Sequence, residues 1–279
     1  MSTVLVTGAS RGIGRATAIR LASKGWDVIA GVRRLEDAEA SAEDRGSRIT
    51  HVVLDVTDES QVRALDGKLP PELDAVVNNA GIVVGGPVEA MPLDQLRRQL
   101  EVNLVGQVAV TQVVLPRLRR SKGRIVFVSS LSGRVSTPMT GAYGASKFAL
   151  EAMADALRLE LRPWGIPVVL VEPAQTDTDM WRTAVDVLEE TVSALSREHR
   201  ELYAKHIEGQ RKTIPRSQKM ATPAEGAAAT IELALTAKRP RARYVVGALP
   251  RIQGIAAQLM PTRMRDAVLA SAGGVPRRI

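Results

Sequence analysis

Two rhythms of apolar and polar positions alternate along the chain. Short runs of β-branched and apolar residues recur at Thr3–Thr7, Asp27–Val32, 48–54, 74–77, 124–129, 167–171 and 243–246, each of strand length. Between them the apolar positions switch to helical spacing. Residues 15–24 place Ala16, Ile19 and Ala22 on one face before Gly25, and further helical stretches begin at Asp58 and Leu93 and span 142–161. Another follows Thr222-Pro-Ala-Glu225, read as an N-cap with an acid at N3. Regular alternation of strand and helix predicts an α/β fold: one doubly wound domain over residues 1–250, with a parallel seven-stranded sheet, helices on both faces and ligands at the strand C-termini. Residues 179–220 are charged, helical in rhythm and free of strand patterns, as expected of a helical flap over a substrate. Met180, Trp181, Val185 and Leu188 recur there at helical spacing, as either pocket wall or core.

Candidate chemistry clusters where strands end. The first strand runs into Gly8-Ala-Ser10-Arg11-Gly12-Ile13-Gly14 and then a helix. In such a turn, backbone N–H groups and a helix N-terminus can cradle a pyrophosphate. The spacing is G-x-x-x-G-x-G rather than G-x-G-x-x-G. Gly8-x-Ser10-x-Gly12 also spells a nucleophile elbow, but a hydrolase needs strands before its serine. Only two residues precede the first strand, and His199 and His206 sit in the charged stretch. The second strand ends at Val32 with no carboxylate for ribose hydroxyls, and Arg33 follows. With Arg11 in the glycine turn, two guanidiniums near the expected 2′-phosphate favour NADP over NAD, although Glu36 and Asp37 lie close by.

Later strand ends carry Asp55-Val56, Asn78-Asn79-Ala80-Gly81, Ser129-Ser130 and, after Glu172, Pro173 to Thr178. The asparagines can tie neighbouring strand ends together. Asn103, inside a helical stretch, suggests a buried amide with a partner. Tyr143 and Lys147 stand one turn apart on a helical face. An ammonium at that spacing is expected to favour the phenolate and to pull the phenol down from its usual pKa of ~10.

Composition narrows the class without changing the fold. Of 279 residues, 45% are hydrophobic and 24% charged, within the range of one large globular domain. No cysteine is present, so disulfides, thiol nucleophiles and Cys-based zinc sites are excluded, in keeping with a reducing cytoplasm. His51, His199 and His206 are scattered singly, and no metal site is expected. The opening residues suggest no signal peptide, and no apolar run approaches the ~18 residues of a membrane span. The net charge of +8 resides in residues 238–279, with nine Lys or Arg against Asp266. There, Ile252, Ile255, Ala256 and Leu259 form an apolar stripe, and Pro261 opens a second helical segment. This basic amphipathic extension, 251–279, has three competing roles: packing on the domain or a sister subunit, a lip over an apolar substrate entrance, or contact with acidic lipid. Nucleic acid is disfavoured because the tail lacks stacking aromatics.

In this order, Thr7-Gly-x-x-x-Gly-x-Gly14, Asp55, Asn78-Asn-Ala-Gly81, Asn103, Ser130, Tyr143-x-x-x-Lys147 and Pro173 with Thr178 resemble the short-chain dehydrogenase/reductase family, over roughly residues 3–250. The wording around Ser130 and Tyr143 is most similar to the hydroxysteroid and retinol dehydrogenase branch. The resemblance implies a Rossmann-type, NADP-dependent oxidoreductase of homodimeric or homotetrameric habit, acting on a bulky apolar secondary alcohol or ketone. It implies pyrophosphate contact along Gly8, Ser10, Arg11, Gly12, Ile13 and Gly14, with Arg33 at the phosphate and Asp55 and Val56 at the adenine. Asn79, Ala80 and Gly81 would border the ribose, and Pro173, Thr176 and Thr178 the nicotinamide. Tyr143 would be the acid/base, Ser130 the holder of the substrate oxygen and Lys147 the ribose ligand and phenol tuner. Asn103 would keep a relay water. Departures are Pro173-Ala174, where Pro-Gly is usual, and Thr176, where an apolar residue is usual. Rival readings are a dinucleotide-sensing binding protein and a 3-oxoacyl-thioester reductase.

Overall fold

The computed structural model describes residues 2–36 and 48–276. Asp37, Arg277 and Arg278 lie outside the described residues, as do the side chains of Arg251 and Ile255. Seven parallel strands form one sheet: β1 (Thr3–Thr7), β2 (Asp27–Val32), β3 (Ile49–Val53), β4 (Ala75–Asn78), β5 (Arg124–Val128), β6 (Val168–Glu172) and β7 (Arg243–Val245). Their order is β3-β2-β1-β4-β5-β6-β7. The chain runs outward from β1 through β3 and then returns to β4 on the other side of β1. That reversal opens a crevice above the C-terminal ends of β1 and β4.

Both faces of the sheet are covered, so its strands read as continuous apolar runs. Val4, Val6, Val28 and Val77 pack on one face with Ala18 and Leu21 of α1 (Gly12–Ser23). Leu5, Val76, Ile125 and Phe127 point to the other, beneath α2 (Glu59–Ala64), α4 (Gly106–Ser121) and α5 (Gly141–Glu160). Between α2 and α4, α3 (Leu93–Leu100) passes through a π-turn at Glu101–Val105 into α4.

After β6 the chain leaves the sheet. Thr176–Asp177 and Thr222–Pro223 pair as a two-residue parallel ladder that closes the base of the intervening flap. The flap is four helices: α6 (Asp179–Arg182), α7 (Ala184–Ala194), α8 (Arg197–Leu202) and α9 (Ala204–Gln218). The break at Thr183 divides the apolar series. Leu188 is buried, with Met139, Leu195 and Ile207, while Met180 is exposed. The expected cap at Thr222 is not made: Pro223 holds the N-cap position of α10 (Ala224–Thr236), and Thr222 is committed to the ladder.

The C-terminal extension is helical, as α11 (Ala248–Leu259) and α12 (Thr262–Ala272). Ile252 and Leu259 of the expected stripe face solvent. The extension docks instead through small and polar groups. Gly254 lies over Leu131, Arg134 Nη1 donates to Gln258 Oε1 at 3.2 Å, and Gln210 Nε2 of α9 donates to Gly273 O at 2.8 Å.

Candidate active site

The glycine turn leads from β1 into α1, whose N-cap, Arg11, makes no side-chain capping bond and whose first turn holds no acid. Its leading amides are therefore left to an anionic guest. Gly14 permits the tight return: a Cβ there would sit 2.2 Å from Gly8 O. Ser10 is half-buried, Ile13 packs against the core, and Arg11 is exposed. A Cβ on Gly12 would lie 3.2 Å from Thr178 Cγ2, so the loop after β6 stands directly across from the turn. Ala9 N donates to Gly31 O at 3.0 Å, fastening the turn beside the end of β2, where Arg33 is exposed. These features fit a dinucleotide with its pyrophosphate on α1 and its adenosine end toward β2.

Loop ends around the crevice are locked by side chains. Asn79 Nδ2 donates to Thr7 O (3.0 Å) and Gly8 O (3.1 Å), and Thr7 Oγ1 accepts from the backbone N–H groups of Asn79 and Ala80 (both 3.0 Å). Asn79 thus joins the end of β4 to β1, as the sequence suggests, whereas Asn78 Nδ2 donates to Thr111 Oγ1 of α4 at 2.9 Å. Asp55 Oδ1 accepts from Thr57 N at 2.9 Å, while Val56 turns its side chain into the core and lies against Gly106 of α4. Gly81 lies against Asn103.

Asn103 is completely buried in the π-turn. Its Oδ1 accepts from Ile82 N (2.8 Å), and its Nδ2 donates to Ile82 O (3.0 Å) and Ser146 Oγ (3.1 Å). Gln99 and Gln107, one turn to either side, act alike. Gln99 Oε1 accepts from Val84 N at 2.6 Å, Gln99 Nε2 donates to Ile82 O at 2.8 Å, and Gln107 Nε2 donates to Ala80 O at 2.8 Å. Sequence reasoning missed both glutamines. Their signal was three amides at i, i+4 and i+8 in an otherwise apolar stretch.

Ser130, just past the end of β5, accepts from Ser132 N at 3.1 Å and donates to Pro173 O at 3.5 Å, and its hydroxyl stands near the half-buried Tyr143 of α5. Lys147, 4% exposed, donates from Nζ to Val128 O at 2.8 Å. The expectation that it lowers the phenol pKa is corrected here. Nζ is turned to that carbonyl, 5.8 Å from the Tyr143 ring centroid. Burial raises the phenol above its ordinary value, offset in part by the nearby Ser130 hydroxyl. Burial also lowers Lys147 to about 8, against the attraction of Glu151. Pro173 O accepts from Leu131 N at 3.1 Å, Thr176 is buried in the small ladder, and Thr178 Oγ1 faces Thr176 O at 3.4 Å. Among the described residues, no group of three or more acidic or histidine side chains could hold a metal, and no helix is long and apolar enough to cross a membrane.

A doubly wound parallel sheet, an anion-ready turn at its reversal point and a hydroxyl–phenol–amine set at the next strand ends define a dinucleotide-dependent oxidoreductase. The chain belongs to the short-chain dehydrogenase family: the family model described as short chain dehydrogenase matches residues 2–188. The NADPH-dependent 3-dehydrocapnine reductase of Ornithobacterium rhinotracheale is 34% identical, covering 96% of both chains. Retinol dehydrogenase 5 of Mus musculus is also 34% identical, over 95% of this chain and 87% of that one. A short chain dehydrogenase from Burkholderia cenocepacia, solved in complex with NADP, superposes with a TM-score of 0.75 at 25% identity, covering 96% of this chain and 97% of that chain.

Proposed function

We propose that this protein is an NADP(H)-dependent reductase, and reversibly a dehydrogenase, of bulky, apolar ketones and secondary alcohols. The observation that carries the reading is the convergence of Ser130 and Tyr143, near enough for the serine hydroxyl to favour the phenolate, beside buried Lys147 at the same end of the sheet as the glycine turn. A bound nicotinamide cofactor supplies or accepts the hydride. Ser130 hydrogen-bonds the carbonyl oxygen as charge develops on it. Tyr143, held protonated through neutral pH by burial, delivers the proton to that oxygen, and Lys147 holds the cofactor's ribose and resupplies the phenol. Asn103 acts at one remove by holding the loop 80–84 against α5 through Ile82 and Ser146. Arg11 and Arg33 bracket the corner where a 2′-phosphate would lie, the basis for preferring NADP.

Support for an apolar substrate comes from the flap. Met139, two residues before α5, packs with Leu188, Leu195 and Ile207, so the flap meets the start of that helix through an aliphatic cluster. Relatives named for retinol, estradiol and 3-dehydrocapnine chemistry point the same way. The test follows reduced-nicotinamide absorbance with steroid, retinoid and long-chain acyl ketones, with NADPH and NADH in parallel. Ketone-dependent consumption of NADPH is expected; cofactor binding without turnover on any ketone would favour a sensing role instead.

A further inference from the structure

One turn beyond Lys147 on the buried face of α5 stands Glu151, 7% exposed, a carboxylate to which the mechanism above gives no task. Its Oε2 accepts from Arg243 Nε of β7 at 2.9 Å. Its Oε1 is buried, and no hydrogen-bond donor among the described residues reaches it. Arg243 reaches further, to Asp155 at 2.6 Å on the next turn of α5 and to Glu172 at 3.5 Å at the end of β6. Glu172, wholly buried, is paired in turn with Arg134 at 2.7 Å in the loop after β5. Among the described residues, the charged groups around Glu151 are Lys147 and Asp155 on its own helix, Arg243 on β7, Glu172 on β6 and, through Glu172, Arg134 on the loop.

The packing holds the carboxylate at this spot. Gly133 lies over it, and a Cβ there would meet Glu151 Cγ at 2.9 Å, Ser129 Oγ at 3.0 Å and Lys147 O at 3.2 Å. Ser129 follows Val128, whose carbonyl receives the lysine, and its own hydroxyl is buried and unbonded. Lys147 and Glu151 thus stand one turn apart on the buried face of α5, with Glu151 the acid on the lysine's next turn. A buried ammonium in such surroundings loses its proton readily unless a carboxylate stands close.

We propose that Glu151, clamped by Arg243, is a positioning residue for Lys147: its carboxylate keeps the lysine cationic through the working pH range of the reaction. The inference rests on the reductase reading for its consequence in turnover, but the lysine can be observed without any turnover. An uncharged residue here would lower the charged fraction of Lys147 near physiological pH, and with it the supply of protons toward Tyr143. Arg243 opposes the effect by drawing on the same carboxylate, so the two side chains should push Lys147 in opposite directions.

The full-length protein, labelled with 13C at lysine Cε, is titrated by NMR, with the Lys147 resonance assigned by its absence in Lys147→Arg. The wild-type midpoint is expected at about 8. Glu151→Gln should move it down by at least about half a pH unit, and Glu151→Asp should restore part of the loss. The alkaline limb of NADPH-dependent ketone reduction should move with it. A role confined to structure would lower thermal stability but leave the midpoint in place. An unmoved midpoint in a folded Glu151→Gln protein overturns the inference. If that variant does not fold, Arg243→Gln takes its place: an upward shift supports the inference, and no shift or a downward one overturns it. Absence of turnover in the wild type would count against the reductase reading alone, because the titration is scored separately.

Discussion

At the residue scale the site works through the environment of a few side chains more than through their identity. Tyr143 and Lys147 are one turn apart, as their spacing in the sequence requires, yet they do not tune each other as that spacing suggested. Spacing is visible in a sequence; the direction in which an ammonium points is not, and Val128 O claims it. Burial then shifts the two groups oppositely, the phenol up and the amine down to about 8. The sign for catalysis follows. Reduction uses a protonated phenol, which burial protects at neutral pH, and a charged lysine, which is lost as pH rises through about 8. The reductive rate should therefore be flat through neutrality and fall above that point, while oxidation, which needs phenolate, should gain as pH rises. A pH–rate profile in both directions checks this; a reductive rate that climbs steadily past pH 9 would contradict it. Cofactor choice is also decided by single residues. Arg33→Ala should raise the NADPH dissociation constant several-fold more than that of NADH, because only NADPH presents a 2′-phosphate; equal losses in fluorescence titrations would put the phosphate elsewhere.

At the scale of elements, strand positions were legible because strands covered on both faces are largely apolar and run into polar residues, Gly or Pro, such as Gly8, Arg33, Asn78, Ser129 and Pro173. The seven expected strands are the seven observed, with ends shifted by a residue. Helix caps were less legible: Thr222 has the right chemistry for a cap, but pairing with Thr176 takes its backbone first. Asn103 was legible as a buried amide; least legible were Gln99 and Gln107 beside it, whose partners lie on the loop after β4. This amide ladder gives a stability prediction. Gln99→Leu leaves Val84 N without its side-chain partner and Ile82 O with Asn103 alone, at a cost of about 1–3 kcal/mol. A lowered urea midpoint at unchanged m-value is expected; no change would mean that solvent replaces the amide fully.

At the scale of the whole molecule, sheet, flap and tail converge on one loop. Residues 131–138, between β5 and α5, touch the tail at Leu131, Arg134 and Pro138, while Met139, next along the chain, sits in the flap's apolar cluster. The extension therefore braces the walls around the catalytic helix, and the outward-facing Ile252 and Leu259 take no part in that docking. Its composition suggested a basic amphipathic segment; which face it would use depended on Gly254 and Gln258, residues with little pattern of their own. Deleting residues 248–279 should loosen the flap. Limited proteolysis within 179–220 should accelerate, and KM for bulky ketones should rise more than kcat falls. An unchanged digestion pattern would mean the flap stands without the tail.

All three scales meet in a phenol that hands a proton to a ketone while a dinucleotide lies in the crevice of β1 and β4. The most direct measurement compares Tyr143→Phe with wild type for NADPH consumption on an accepted ketone, with NADPH affinity measured alongside. Turnover should fall at least ~10²-fold, the low end for a positioned acid–base group, with affinity little altered. A phenylalanine variant that reduces the ketone at close to the wild-type rate would contradict the account.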